Sequence, residues 1–206
     1  MDRRMHGLVA RTLQCFVQDT YGEERWRRVA DDARLELPEF EAMLDYEAQL
    51  IGRVLTRAEL ELDKPRAAML EDIGTYLMTH PNNERLRRLM RYGGEDFIDF
   101  LHSLEELPGR ARLAVPDLSL PALELSETAP RRFALVCKCT GPTSRGYSHV
   151  LAGVLRAMAD DYGALILLDL ADGPGDDELI EITVIETAYT RGRSFVLGAH
   201  GAGQGG

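Results

Sequence analysis

The sequence predicts an α+β fold, in which an N-terminal helical half precedes a C-terminal sheet with one helix packed against it. Apolar residues recur at helical spacing from the N-terminus to about residue 107. From residue 132 the pattern changes to the alternation of a strand. Turns rich in glycine and aspartate then separate further short apolar segments, so we expect a four-stranded, antiparallel sheet.

Composition indicates one globular domain. The chain has 206 residues, of which 45% are hydrophobic and 28% charged, enough to bury a real core. Its formal net charge of -10 disfavours nucleic acid as a partner, because that binding needs clustered Lys and Arg. No apolar run approaches the roughly 20 residues of a membrane span, and no signal-peptide pattern opens the chain. The sequence therefore predicts a cytoplasmic protein without membrane insertion.

The helical half is predicted to begin with a series of amphipathic helices. The first ends at Tyr21-Gly22, and residues 23–33 and 46–60 form the next two. We expect Asp63 to cap the N-terminus of the following helix, with Pro65 in its first turn. A break at residues 80–83 then precedes a short helix that runs to residue 93.

Residues 93–108 predict the helix on which the functional argument depends. Glu95 and Asp96 lie in its first turn, where carboxylates suit the positive end of the helix dipole. Pro108-Gly109 is predicted to end the helix. Five apolar residues recur at helical spacing along it: Phe97, Phe100, Leu101, Leu104 and Leu107.

The C-terminal half is predicted to form the sheet. Prolines and short leucine-rich pieces in residues 109–131 show no sustained period, which indicates an extended surface connector. One helix is expected at residues 147–161. Residues 199–206 are mostly glycine and alanine, which cannot bury enough surface to order themselves, and we expect a disordered tail there. Strands are predicted at residues 133–140, 164–170, 178–187 and 194–197.

Motifs at the start of the chain and in the helix at residues 93–108 match a known family. They are Met5-His6-Gly7-Leu8-Val9, the Tyr21-Gly22 helix end, Trp26 and the Phe100-Leu101 pair. The chain resembles the haem–nitric-oxide/oxygen-binding (H-NOX) family, the sensor domain of soluble guanylate cyclases and many bacterial signalling proteins. The resemblance implies a single domain over residues 1–198, with a helical subdomain (5–107), a connector (108–131) and an α/β subdomain (132–198).

The resemblance also implies a haem between the helical part and the sheet part. In the family, the histidine that ligates the iron follows the Leu of the Phe-Leu pair by seven residues, and here that position is Pro108. Proline offers no atom that binds iron. His102 is the alternative ligand on this helix, although it lies roughly 120° round the axis. It also precedes Glu106 by four residues, a spacing typical of a solvated ion pair.

The family holds the haem propionates with a Tyr-x-Ser-x-Arg motif before its C-terminal helix. Gly146 and Gly153 fit the start of that helix. With a turn one residue shorter, Thr143 takes the Ser role and Arg145 the Arg role, while Gly141 replaces the Tyr. A guanidinium suits a carboxylate because its planar fork donates two parallel hydrogen bonds. An ordinary loop arginine is the competing interpretation of Arg145.

Two cysteines offer a different chemistry. Cys137 and Cys139 share one face of a predicted strand, so they are candidate redox thiols or soft metal ligands. Their Cα atoms lie about 6.6 Å apart along a strand, near the upper limit for a disulfide. No neighbouring histidine or third cysteine completes a zinc site. Buried structural cysteines are the other interpretation.

The sequence shows no nucleophile–base arrangement and no metal-ligand helix motif, so we predict a protein that is not an enzyme. The resemblance implies a haem cofactor and a sensor domain that regulates a signalling partner, such as a histidine kinase or a cyclic-nucleotide enzyme. Two alternatives remain open. One is a haem-free protein-interaction or small-ligand module on the same fold, and the other is a thiol redox or metal sensor that uses Cys137 and Cys139.

Overall fold

A computed structural model describes residues 4–139 and 145–187. The helical half opens with a small antiparallel pair of strands, β1 (Arg4–His6) and β2 (Asp45–Glu47). None of the helices in the described ranges is long and apolar enough to cross a membrane. The helices of this half are α1 (Gly7–Tyr21), α2 (Glu23–Asp32), α3 (Ala48–Leu62), α4 (Arg66–Thr79), α5 (Glu84–Arg91), α6 (Phe97–Ser103) and α7 (Leu107–Ala114), with 3₁₀ turns at Pro81–Asn83 and Leu104–Glu106.

The second half is a four-stranded antiparallel sheet in the order β3-β4-β6-β5, with helix α8 (Tyr147–Tyr162) between β4 and β5 in the chain. The strands are β3 (Ala122–Ala129), β4 (Arg132–Lys138), β5 (Leu165–Asp172) and β6 (Glu178–Glu186). The inward residues alternate along β4 and β6, as a half-buried sheet requires. The predicted α+β class, with a four-stranded antiparallel sheet and a packed helix, is confirmed.

Two hydrophobic cores hold the chain together. The first lies among α1 to α4 and is built around Phe16, Trp26 and Val54. The second joins the helical half to the sheet, since side chains from α6 pack with β4, β6 and α8. Burial of apolar side chains stabilises each core by roughly 1.5–3 kcal/mol per large residue. The second core therefore lies between the helical half and the sheet, where a site formed by residues of both halves would lie.

The helix predicted at residues 93–108 is corrected by the structure. Asp96 is its N-cap, and its carboxylate accepts hydrogen bonds from the N–H groups of Ile98 (2.8 Å) and Asp99 (2.9 Å). The helix ends at Ser103, and a 3₁₀ turn leads into α7. Pro108 therefore lies in the first turn of α7 instead of ending a helix. A proline is tolerated there because an N–H in the first turn has no acceptor within the helix.

The extended connector predicted at residues 109–131 is also wrong in its secondary structure. It contains most of α7 and all of β3, which supplies an edge strand of the sheet. An edge strand tolerates flanking prolines, here Pro121 and Pro130, because one side of its backbone remains unpaired. The strand predicted at residues 194–197 and the tail at residues 199–206 lie outside the described residues. The proposed subdomain boundaries stay predictions.

Asp63 does not cap α4 as predicted. It ends α3 in the left-handed conformation with φ of 48°, and its N–H points back at the last turn of that helix. Pro65 is the residue before α4. Asp tolerates the left-handed region better than most residues, because its short side chain hydrogen-bonds locally. Asp63 therefore does mark a helix boundary, but it is the C-terminal boundary of α3 and not the N-terminal boundary of α4.

Candidate functional site

Helices α4 and α8 cross at the seam between the two halves. Gly74 of α4 lies directly against the backbone carbonyl of Val150, and Gly153 of α8 lies against that of Glu71. A Cβ atom at either glycine would overlap the opposing backbone. The two helices are therefore in backbone contact, and no group of any size fits between them at this crossing.

The rest of the seam is filled by apolar side chains. Phe100 and Leu101 of α6 pack with Leu135 of β4 and with Leu155 and Met158 of α8 in one continuous cluster. Each of these residues is at most 1% exposed. Protein interiors of this kind reach the density of organic crystals, so their side chains leave few voids larger than a water molecule. The α6–sheet interface is therefore a packed core.

Aromatic contacts fix α6 against α8. The Tyr162 ring lies 5.7 Å from the Phe100 ring, and its hydroxyl donates to the carbonyls of Arg91 and Gly94 at 3.1 Å each. The Arg91 guanidinium lies 3.6 Å above the same ring, within range of a cation–π interaction. Burial raises the pKa of Tyr162. These contacts hold the start of α6 in place.

Pro108 and His102 occupy different environments. Pro108 is buried in the first turn of α7. His102 is exposed on α6, where its ring meets the Phe133 ring edge-on at 5.8 Å. The ion pair with Glu106 suggested by the spacing is not formed among the described residues. His102 therefore does not point into the packed interface between α6 and the sheet.

The Thr143 position lies outside the described residues, whereas Arg145 is described. Arg145 is exposed, and its Nη2 donates to Oδ1 of Asp176 at 2.7 Å. Both side chains are more than 60% exposed, so this ion pair contributes little to stability. The geometry nevertheless places the guanidinium against a carboxylate of this chain.

Asp176 begins a run of three acids, which we call the acidic hairpin (residues 176–178), at the end of the β5–β6 turn and the start of β6. Glu178 accepts hydrogen bonds from the backbone N–H groups of Gly146 (2.5 Å) and Ser148 (2.9 Å) at the start of α8. A carboxylate suits this place, because the unpaired N–H groups and the helix dipole favour negative charge. Glu178 therefore caps α8 from another part of the chain.

Asp177 binds the other side of the same segment. Its Oδ1 accepts from the backbone N–H of Cys139 at 2.9 Å, and its Oδ2 lies 3.3 Å from Nζ of Lys138. All three acids of the hairpin thus bind groups on the stretch between β4 and α8. The sequence alone does not reveal these contacts, because Asp176-Asp177-Glu178 resembles an ordinary polar turn when its partners are unknown.

The two cysteines flank Lys138 and do not form a metal set. Cys137 is fully buried, and burial raises the pKa of its thiol to about 12, with a further contribution from Glu178. Cys139 is half-buried, and no disulfide joins any of the three cysteines. Within residues 4–139 and 145–187 no group of three His, Cys, Asp or Glu side chains is placed to hold a metal ion.

We expect Cys137 to resist thiol reagents in the folded protein. At pH 8 only about one in ten thousand of such thiols is ionised, and the thiolate is the reactive form. Cys137 in a Cys15→Ser/Cys139→Ser variant should label at least about a hundredfold more slowly than after unfolding in guanidinium. Rapid stoichiometric labelling of Cys137 without unfolding would favour the redox sensor instead.

Comparisons with known proteins agree with this architecture. A family model described as Haem-NO-binding (HNOB) matches residues 6–167. Soluble guanylate cyclase 89Db of Drosophila melanogaster is 22% identical over 161 residues, which is 78% of this chain and 24% of that protein. The chain thus spans about a quarter of the length of that relative.

Solved structures show the same fold. An Fe(II) unliganded H-NOX protein from K. algicida superposes with a TM-score of 0.75 at 17% identity, covering 91% of this chain and 100% of that one. An H-NOX protein from S. oneidensis gives 0.73 at 14% identity, covering 89% and 97%. Because the family model spans most of the sequence, the chain belongs to the Haem-NO-binding, or H-NOX, family.

Proposed function

We propose that this chain is a haem-independent H-NOX domain that regulates a separate signalling partner. H-NOX domains are related to the gas-sensing haem domains of guanylate cyclases, and the family typically binds haem. The observation that carries the proposal is the packed seam. The residues that meet between the helical half and the sheet are almost completely buried, and α4 touches α8 through Gly74 and Gly153.

The residues at the expected ligand positions do not fit a haem either. Pro108, at the position that matches the family's iron-binding histidine, is buried and has no side-chain donor atom. His102 is exposed and lies against Phe133. A protein-bound haem needs an imidazole, a thiolate or a comparable side chain to ligate its iron. This chain offers none of these at Pro108.

The acidic hairpin supports the same proposal. In the resembled motif, groups just before α8 bind the two carboxylates of the haem propionates. Here Asp176 pairs with Arg145, and Glu178 accepts the hydrogen bonds of Gly146 and Ser148 at the start of α8. The chain's own carboxylates therefore pair with Arg145, the described residue of the expected propionate clamp, and with the backbone N–H groups at the start of α8.

The partner is proposed from the family. H-NOX domains have sensor and signalling roles, and we place this chain upstream of a histidine kinase or a cyclic-nucleotide enzyme. With a packed seam and no iron ligand at Pro108, the signal would come from a protein contact or a ligand other than nitric oxide. A ligand shifts an equilibrium only by its different affinity for the two states. The domain itself is proposed to be non-catalytic.

The thiol sensor is the weaker candidate. Burial raises the pKa of Cys137 to about 12, which opposes thiolate formation. A redox-sensing cysteine needs an exposed, readily ionised thiol. Cys137 has neither property, so we do not propose it as the sensing group.

An absorption spectrum tests the proposal that this domain is haem-independent. We expect the protein, expressed with added haem precursor and purified, to lack the Soret band of histidine-ligated haem. Nitric oxide should leave its spectrum unchanged, since no iron is held. A His102→Ala variant is the matched control for the alternative ligand. A stoichiometric Soret band that persists in Pro108→Ala but disappears in His102→Ala would overturn the proposal and make His102 the ligand.

A further inference from the structure

A groove on the helical half, remote in sequence from the acidic hairpin, combines three arginines. It has a volume of about 790 Å³ and lies between the end of α2 and the middle of α3. Arg34, Arg53 and Arg57 line it together with one acid, Asp32. None of the three guanidiniums forms an ion pair with any residue that the structure describes. The groove is therefore basic, although the chain as a whole has a net charge of -10.

The arginines of the groove differ from their neighbours. On the adjoining surfaces Arg28 pairs with Glu61 at 2.8 Å, and Arg66 pairs with Glu59 at 2.6 Å. Arg53 and Arg57 instead stand four residues apart on α3, where like charges repel each other. This repulsion makes the arginine cluster unfavourable in the free protein. A bound anion would neutralise the positive charges, which would explain why the cluster is present.

Arg34 supplies a second unusual feature. It follows α2 in the left-handed conformation with φ of 56°, and its N–H bonds to the carbonyl of Asp31 at 3.0 Å. This position after a helix favours Gly or Asn, which adopt the conformation without strain. Here the backbone places an arginine at the rim of the groove. A strained residue of this kind is a reason to look for a function.

Gly52 is the third and independent observation. It lies in the interior of α3 and lines the groove. A Cβ atom there would meet nothing within 4 Å, so packing does not require a glycine. Glycine weakens a helix relative to alanine. Its presence is accounted for if a ligand approaches the α3 backbone at this point, as glycines permit.

We propose that this groove binds a small ligand with clustered anionic oxygens, of which a diphosphate is the best match. Guanidiniums favour phosphate because their planar donors match its oxygens. The groove also has the size of a small-molecule site. No aromatic side chain lines it, so it lacks a stacking platform for a nucleobase. The site recognises charge, and this holds whether or not the chain binds haem.

Calorimetry with inorganic pyrophosphate at low salt tests the site in the whole protein. We expect saturable binding, weakened about tenfold in Arg53→Gln and in Arg57→Gln. Arg85→Gln, which removes an exposed arginine from α5, is the control for bulk charge and should bind like the wild type. The affinity for ADP should lie within about twofold of that for pyrophosphate. A parallel titration with citrate, whose anionic oxygens belong to carboxylates, distinguishes a carboxylate ligand from a phosphate ligand.

Gly52→Ala separates the site from general charge attraction. The new methyl group should raise the melting temperature of the free protein and yet weaken pyrophosphate binding severalfold. Absence of binding at millimolar pyrophosphate would overturn the proposal. So would an equal loss in Arg85→Gln, or full binding in Arg53→Gln and Arg57→Gln. If either arginine variant fails to fold by circular dichroism, Arg34→Gln takes its place with the same expected loss.

Discussion

Gly153→Ala is expected to lower the free energy of unfolding by about 3 kcal/mol, the upper end of the cost of overpacking. Its methyl group would overlap the carbonyl oxygen of Glu71 and lie 2.8 Å from the backbone nitrogen of Thr75. Both contacts are with backbone, which cannot move aside as the end of a flexible side chain can. Helices α4 and α8 would have to separate along their crossing.

Gly52→Ala is the matched control, because both glycines lie inside helices and both substitutions raise intrinsic helix propensity. With open space at Gly52, alanine should stabilise the protein by roughly 0.5–1 kcal/mol. Urea unfolding followed by circular dichroism measures both. Stabilisation by Gly153→Ala similar to that of Gly52→Ala would mean that the helices have room between them, and the packed seam would no longer support a haem-independent domain.

The sequence predicted the fold class well because its two halves have different periods. Helical spacing placed most of the helices, and the alternation from Phe133 located β4. The alternation did not predict β3, because Leu123 and Leu125 alternate with polar residues over only one short stretch between prolines. Edge strands often show only a weak sequence pattern, because pairing with one neighbouring strand and tertiary packing stabilise them.

The site was less predictable than the fold. Pro108 was identified by its distance from Phe100-Leu101, but its place in a helix of its own depends on the 3₁₀ turn before it. The prediction of a strand that starts at Glu178 is confirmed, but nothing local in the sequence indicates that this residue also caps α8. That contact joins residues about 30 positions apart, so it depends on how the β5–β6 hairpin folds against α8. Spacing along the chain carries no information about such contacts.

Close approach of helices was likewise invisible in the sequence. Gly74 and Gly153 are ordinary mid-helix glycines until α4 and α8 are placed side by side. Gly153 was matched to the family's C-terminal helix, but its contact with Glu71 could not be derived from that match. Pairwise packing is a property of the tertiary structure, and propensity along one helix does not encode it.

Glu178→Ala is expected to lower the free energy of unfolding by about 2–3 kcal/mol, because it leaves two N–H groups at the start of α8 without their acceptor. Glu181→Ala removes an acid of the same strand whose side chain is exposed, and should change the free energy of unfolding by less than about 0.5 kcal/mol. Thermal unfolding at neutral pH compares the two variants. Equal losses would show that Glu178 does not act as a cap.

An added anion provides a sharper test of the same contact. Once Glu178 is removed, the start of α8 offers free N–H groups and the positive end of a helix dipole, with Arg145 nearby. Sulfate should therefore restore part of the lost stability in Glu178→Ala, beyond the general stabilisation that it gives the wild type at the same ionic strength. An identical response in both proteins would mean that no anion site is uncovered. In that case the acidic hairpin would not be an internal substitute for propionates, and the haem-independent proposal would rest on Pro108 and the packed seam alone.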